Sequence, residues 1–241
     1  MSKNIDKIIY INLDRRKDRK EQIEQMLNEY GLPFERFSAF NIGVAGIGCF
    51  LSHLAILKQA YSSQYNNILI LEDDFQIVVS KEEFEEQLTL FFKADLFYDV
   101  VMLSHNLIRS EQTKNSFLTR VLEAQTTSGY LVNRHYLKTL IDLYEWAFIY
   151  LIETKEHWNW CNDRIWKTYQ NNDSWFCFTK LHQPKRKMRQ NAVMTYIFYN
   201  YVSSNYLNVF LIFYFLLYSL SFYVYRHKYL DFLFLCNVLT D

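Results

Sequence analysis

Two short apolar runs, Lys7-Ile8-Ile9-Tyr10-Ile11-Asn12-Leu13 and Ile68-Leu69-Ile70-Leu71, have almost no polar residue inside them. Such runs fit strands buried on both faces, as in the middle of a parallel sheet. Between and after them the period lengthens. Ile23, Met26, Leu27 and Tyr30 recur at helical spacing, which predicts a helix beginning near Arg15 with Asp14 as its cap. Gly31 and Pro33 suit its stop. Residues 34–40 read as a short second strand, and Phe50 to Tyr61 as a mostly buried helix behind a glycine-rich turn, residues 43–49. Ser80-Lys81-Glu82-Glu83 is a capping box opening a helix with Phe84, Leu88, Phe91 and Phe92 inward. Tyr98 to Ser104 predicts a buried strand, residues 107–119 a loop, Val121 to Gln125 an outer strand, and Thr126 to Val132 a polar-then-apolar strand. A helix over Arg134 to Tyr150 follows, then a segment rich in indole rings leading into a helix with Ile165, Trp166 and Tyr169, and a short strand at Trp175 to Phe178. Strands alternating with helices predict an α/β layer fold.

The second apolar run ends in Glu72-Asp73-Asp74. The acids fall at a strand's carboxyl end, where open α/β sheets bind ligands. Three crowded carboxylates repel one another unless a cation neutralises them, so they are candidate ligands for a divalent metal and, through it, a phosphate-bearing substrate. A solvated acidic loop opening the next helix is the other reading. The basic group Arg15, Arg16, Lys17, Arg19 and Lys20 follows the first strand directly. It could contact a diphosphate or be a solvated helix face. Asp163 stands among Trp158, Trp160 and Trp166. Aromatic faces stack on sugar rings, and a carboxylate beside them could accept a hydroxyl proton. A surface pair with Arg164 or Lys167 is the alternative.

Composition narrows the class. The chain has 241 residues, 50% hydrophobic and 22% charged, enough to bury a full core. The formal net charge is zero, so there is no electrostatic case for nucleic acid. Cys49, Cys161, Cys177 and Cys236 are scattered without CxxC spacing, which argues against a disulfide framework or a clustered zinc motif. The amino terminus lacks the apolar stretch of a signal peptide. The tail differs in kind: from Gln190 to Tyr225 no residue is charged. Tyr206 to Tyr225 is about long enough to cross a bilayer as a helix. This divides the chain into a domain at 1–190 and a hydrophobic tail at 191–241, with a candidate transmembrane helix over 206–225. Cations flank the span on both sides, Lys185, Arg186, Lys187 and Arg189 before it and Arg226 and Lys228 after it. The larger cluster, on the main domain's side, favours a cytoplasmic location for that domain. A buried or partner-facing hydrophobic helix is the other reading.

Four segments together resemble family 25 glycosyltransferases, the group of bacterial lipopolysaccharide and collagen-modifying galactosyltransferases. They are Tyr10-Ile11-Asn12-Leu13-Asp14-Arg15 with Arg19, Gly48-Cys49-Phe50-Leu51-Ser52-His53, Leu69-Ile70-Leu71-Glu72-Asp73-Asp74, and Ser128-Gly129-Tyr130-Leu131-Val132. The resemblance spans about residues 5–180. It implies a GT-A-like nucleotide-binding mixed sheet flanked by helices, a nucleotide-sugar donor such as a UDP-hexose, and a divalent cation, usually manganese. Glu72, Asp73 and Asp74 match the acidic metal motif, with Asp74 the first choice of ligand and Glu72 acting through water or a neighbour. His182 is a candidate further ligand. Asn12, Arg15, Arg19 and His53 are candidates for the nucleotide-sugar side. Asp163 is the candidate base, and Asp73 is placed in the catalytic set as well. The family often carries a Ser-Asp-Ile-like segment where this chain reads His182-Gln183-Pro184-Lys185-Arg186, a departure on the acceptor side.

The expected function is therefore metal-dependent transfer of a hexose, galactose or glucose, from a UDP-sugar to a glycan, lipopolysaccharide or protein acceptor, with membrane attachment through the tail. An inactive sugar-binding or membrane scaffold of the same fold is the alternative. A glycoside hydrolase fits less well, because three adjacent acids on one strand end suit a metal better than two carboxyls facing across a sugar.

Overall fold

A computed structural model describes residues 4–42 and 45–179. The tail, His182 and the boundary expected near Asn191 lie outside the described residues. Eight strands form one mixed sheet in the order β2-β1-β3-β7-β4-β8-β6-β5. They are β1 Lys7–Asn12, β2 Glu35–Ser38, β3 Asn67–Glu72, β4 Val100–Met102, β5 Asn106–Gln112, β6 Leu118–Gln125, β7 Gly129–Asn133 and β8 Trp175–Phe178. The helices are α1 Lys17–Glu29, α2 Ala45–Ser62, α3 Lys81–Lys93, α4 Arg134–Thr154 and three single turns, α5 His157–Trp160, α6 Asn162–Ile165 and α7 Lys167–Gln170.

The double-faced apolar runs do what their pattern requires. Ile9, Ile11, Ile68 and Ile70 pack on one side of the sheet with Phe50, Leu54 and Leu57 of α2 and Leu140, Tyr144 and Ala147 of α4. Ile8, Tyr10, Leu69 and Leu71 pack on the other with Ile23 and Leu27 of α1 and Phe84, Leu88 and Phe91 of α3. The four apolar side chains of β3, Ile68 to Leu71, are essentially fully buried. At about 1.5–3 kcal/mol each, they outweigh the roughly 1 kcal/mol repulsion between two charges 4 Å apart in water. The strand can therefore hold acids at its tip.

The register fixes where that tip lies. β3 runs parallel to β1, with Ile11 opposite Glu72, and antiparallel to β7, with Leu71 opposite Gly129. The carboxyl ends of β1 and β3 and the amino end of β7 therefore meet. Gly129 is required here, since a Cβ would stand 2.5 Å from the Phe75 ring. Gly31, at φ +66°, closes α1 in the left-handed conformation that glycine adopts without penalty.

Several expectations are corrected. Asp14 does not cap α1. The helix starts at Lys17 with no side-chain cap, because Asp14 is drawn to Arg36 and Ser38 instead. α2 begins at Ala45 and takes in Gly46 and Gly48. Gly48 lets the helix approach β2's exit, where an added Cβ would stand 2.3 Å from the Phe40 carbonyl oxygen. The stretch expected to be a loop holds β5, an edge strand with almost every side chain exposed. Its residues lack apolar alternation because β6 holds it on one side only, through backbone pairing and exposed ion pairs of Arg109 with Glu123 and Glu111 with Arg120. Thr126 to Ser128 are a loop, and the strand begins at Gly129. The helix expected around Ile165, Trp166 and Tyr169 is broken into α6 and α7. Ser80 does cap α3, accepting from the Glu83 N–H at 3.2 Å.

Candidate active site at the sheet's carboxyl edge

The three adjacent acids face two ways. Strand alternation turns Glu72 inward, toward the face covered by α2. Its Oε1 accepts from the Thr127 hydroxyl at 2.6 Å and lies 3.3 Å from His53 Nε2. Asp73 and Asp74, in the turn beyond the strand, converge instead on one guanidinium. Arg19 Nη1 is 2.8 Å from Asp73 Oδ1 and 3.6 Å from Asp74 Oδ2. The mutual repulsion expected of the trio is thus relieved by dividing it.

Asp73 is held from two elements. Arg19 comes from the first turn of α1. Asn12, at the end of β1 and almost fully buried, donates from Nδ2 to Asp73 Oδ2 at 2.8 Å and to the Arg16 carbonyl at 3.1 Å. Asn12 is itself fixed by Arg36 of β2, whose Nε donates to Asn12 Oδ1 at 3.1 Å. Asn12, Arg19, Asp73 and Asp74 therefore form one polar patch across β1, β3 and α1. Arg15 is exposed in the turn between β1 and α1.

His53 is completely buried and sits beneath the acidic end rather than on an open surface. Its Nδ1 is 2.8 Å from the Tyr130 hydroxyl. With Tyr130 donating to Nδ1, the Nε2–H faces the Glu72 carboxylate, so both ring nitrogens have partners. Burial acts to raise the Glu72 pKa, but hydrogen bonds from His53 and Thr127 and the Arg19 charge overcome it, so the carboxyl ends below its ordinary value. One turn earlier on α2, Cys49 faces the same carboxylate. Burial pushes the thiol pKa up, and the charges of Glu72, Asp74 and Asp163 push it further. No sequence signal short of the i, i+4 spacing of Cys49 and His53 pointed to this pairing with Glu72.

Asp163 lies in the first turn of α6 and is not paired with Arg164 or Lys167. Lys167 binds Glu123 at 2.7 Å. Asp163 Oδ2 accepts from the Thr126 N–H at 3.3 Å, and the Cys161 thiol donates to Oδ1 at 3.2 Å. The loop 126–128 joins the two carboxylates, since Thr126 touches Asp163 and Thr127 touches Glu72. Thr126 has φ +84°, a conformation that β-branched residues rarely adopt. Its hydroxyl lies 3.1 Å from that of Ser128, which is 3.2 Å from that of Ser104. The loop's role was missed because its residues read as the start of a strand. His182 lies outside the described residues.

Residues 41–154 match the family model described as Glycosyltransferase family 25 (LPS biosynthesis protein). The matched stretch contains Cys49, His53, the acidic triplet, the 126–128 loop and Tyr130. A glycosyltransferase 25 family member from Drosophila melanogaster is 32% identical over 101 residues, covering 30% of this chain and 16% of that relative. One from Drosophila pseudoobscura pseudoobscura is 29% identical over 100 residues with the same coverage. This chain thus spans about a sixth of the length of these family 25 relatives. Among solved structures, a mannose-1-phosphate geranyltransferase from Thermus thermophilus has a TM-score of 0.42 at 9% identity, over 73% of each chain. A glycosyltransferase involved in glycosylation of the major capsid of PBCV-1 has a TM-score of 0.36 at 13% identity, over 72% of this chain and 94% of that one. Neither likeness carries weight for function.

Proposed function

We propose that the domain transfers a hexose from a nucleotide-sugar donor, such as UDP-galactose or UDP-glucose, to a hydroxyl of a glycan, lipopolysaccharide or protein acceptor. One observation carries this reading: Asp73, within the stretch that matches the family 25 model, is clamped by Asn12 and Arg19 at the joined carboxyl ends of two parallel strands. A GT-A-like donor site belongs at that edge of the sheet.

Asp73 and Asp74 fit a hard divalent cation. Their oxygens already converge on a single positive group, the Arg19 guanidinium, and carboxylate oxygens are the donors that magnesium and manganese take. Bound there, manganese or a similar ion would supply Lewis-acid stabilisation of the departing nucleoside diphosphate. The chain's own groups do the rest. Asn12 holds Asp73 in place while Arg19 can exchange a carboxylate for a phosphate oxygen, which it binds in the same planar geometry. Asp163, oriented by the Thr126 N–H, takes the acceptor hydroxyl's proton. The acceptor oxygen then bonds to the anomeric carbon, and the electron pair of the sugar–phosphate bond leaves on the diphosphate.

Hydrolysis of UDP-galactose and UDP-glucose with manganese, and again with a chelator, tests the reading. Metal-dependent turnover in the wild type and its loss in Asp74→Ala is the expected result. Undiminished turnover in Asp74→Ala defeats the cation assignment. Absence of tight UDP binding supports the inactive scaffold instead.

Membrane attachment is a separate proposal and rests on the sequence of Tyr206–Tyr225. Among the described residues no helix is long and apolar enough to cross a membrane. Truncation after Gln190 should release the domain from detergent-free washed membranes. If the full chain is already soluble without detergent, the proposal fails.

A further inference from the structure

We infer that Cys49, His53 and Glu72 form a second metal site, for a borderline-soft ion such as zinc, separate from the donor cation at Asp73 and Asp74. Among the described residues this trio brings one sulfur, one imidazole nitrogen and one carboxylate oxygen within 4.8 Å of one another. That donor set is one zinc accepts and magnesium or manganese does not favour. Cys49 and His53 lie four residues apart on α2, so both side chains fall on one helix face, and Glu72 meets them from the tip of β3.

Two further observations point to a ligand there. Asn162 of α6 is buried, its Nδ2 lies 3.4 Å from the Cys49 sulfur, and its Oδ1 has no hydrogen-bond partner. The two amide ends are interchangeable by rotation. Turned over, Asn162 presents a carbonyl oxygen toward the Cys49 sulfur and the ion it would hold. The second observation is the far side of His53. Tyr130 already engages Nδ1 at 2.8 Å, the outer partner that a metal-bound imidazole needs to fix its ring and tautomer.

The proton balance is simple. Glu72 is already a carboxylate. The His53 proton moves from Nε2 to Nδ1, where the Tyr130 oxygen becomes its acceptor, and the Nε2 lone pair binds the ion. The Cys49 thiol loses its proton to solvent. One proton is released per ion bound. The ion would tie α2 and α6 to the tip of β3, setting the floor under the donor site without entering it. The inference does not depend on the glycosyl-transfer reading.

Cobalt titration of the full chain tests it. A thiolate-to-cobalt charge-transfer band in the near ultraviolet should saturate at one equivalent. It should persist in Cys161→Ser and Asp74→Ala, and vanish in Cys49→Ser. Asn162→Ala should weaken binding by about 10–100-fold, the usual cost of a lost supporting ligand. No band in the folded wild type overturns the site. So does a band that survives Cys49→Ser or is lost in Asp74→Ala. If Cys49→Ser does not fold, zinc-edge X-ray absorption on the wild type decides. One sulfur at about 2.3 Å with nitrogen and oxygen at about 2.0–2.2 Å supports the site. An all-oxygen shell overturns it.

Discussion

Asp73 and Asp99 are both nearly buried carboxylates, and they sit at opposite ends of the sheet. Asp99, just before β4, accepts from the Ser174 N–H at 2.7 Å and lies 2.7 Å from His135 Nε2. Its backbone is tied to β7 and to the start of β8 by bonds with Asn133 and Ser174. One of its two side-chain partners is a backbone N–H that has nowhere else to go. Asp73 is held by side chains alone, Asn12 and Arg19, and Arg19 is about one-third exposed. Guanidinium can leave for another anion, whereas a backbone amide cannot. Closed partners mark a carboxylate that stabilises the fold. Exchangeable partners mark one that can act on a ligand.

The sharpest way to break this contrast is to truncate both. Asp73→Ala should lower turnover by about 100–1,000-fold, the scale for a group that stabilises developing charge, with little change in melting temperature. Asp99→Ala should instead cost about 1–3 kcal/mol of stability, because it strands a buried N–H, with turnover per folded molecule retained. Denaturant titration beside initial rates separates them. Equal stability losses and equal rates in the two variants would erase the distinction.

A smaller effect concerns α3. Ser80→Ala removes a cap that serves the Glu83 N–H and should cost about 1 kcal/mol, read from the urea midpoint, with turnover unchanged.

The smallest is pH-dependent. Glu72 has its folded pKa below the ordinary 4.5. Its contribution to stability is therefore complete above the ordinary value and is lost as pH falls through the lower folded one. Melting curves in acid should show the wild type losing stability below pH 4.5 more steeply than Glu72→Gln. Parallel curves would mean that the His53 and Thr127 contacts do not favour the charged form.

The sheet's centre was legible in the sequence because β1 and β3 are buried on both faces, so their apolar runs admit few alternatives. The capping box at Ser80 was equally local, and so was the Gly31 stop. β5 was illegible for the opposite reason: an exposed edge strand carries no burial pattern, and only its partner β6 defines it. In the candidate site, the motif at Glu72–Asp74 placed the acids at a strand's carboxyl end. It could not show the division of the three acids, since that depends on which face of the sheet each side chain meets. Asn12 was placed by its position at a strand end. The link from Asn12 to Asp73 spans 61 residues, and no periodicity carries such a contact. Asp163 reads as a surface acid until the 126–128 loop is folded against it.

The central claim is that Asp73 and Asp74 hold a donor's diphosphate through a divalent cation. Calorimetric binding of UDP with and without manganese tests it most directly, in the wild type and in Asp73→Ala. Manganese should tighten UDP binding in the wild type and have no effect in Asp73→Ala. Manganese-independent UDP binding in the wild type, or an equal manganese effect in both proteins, would contradict it.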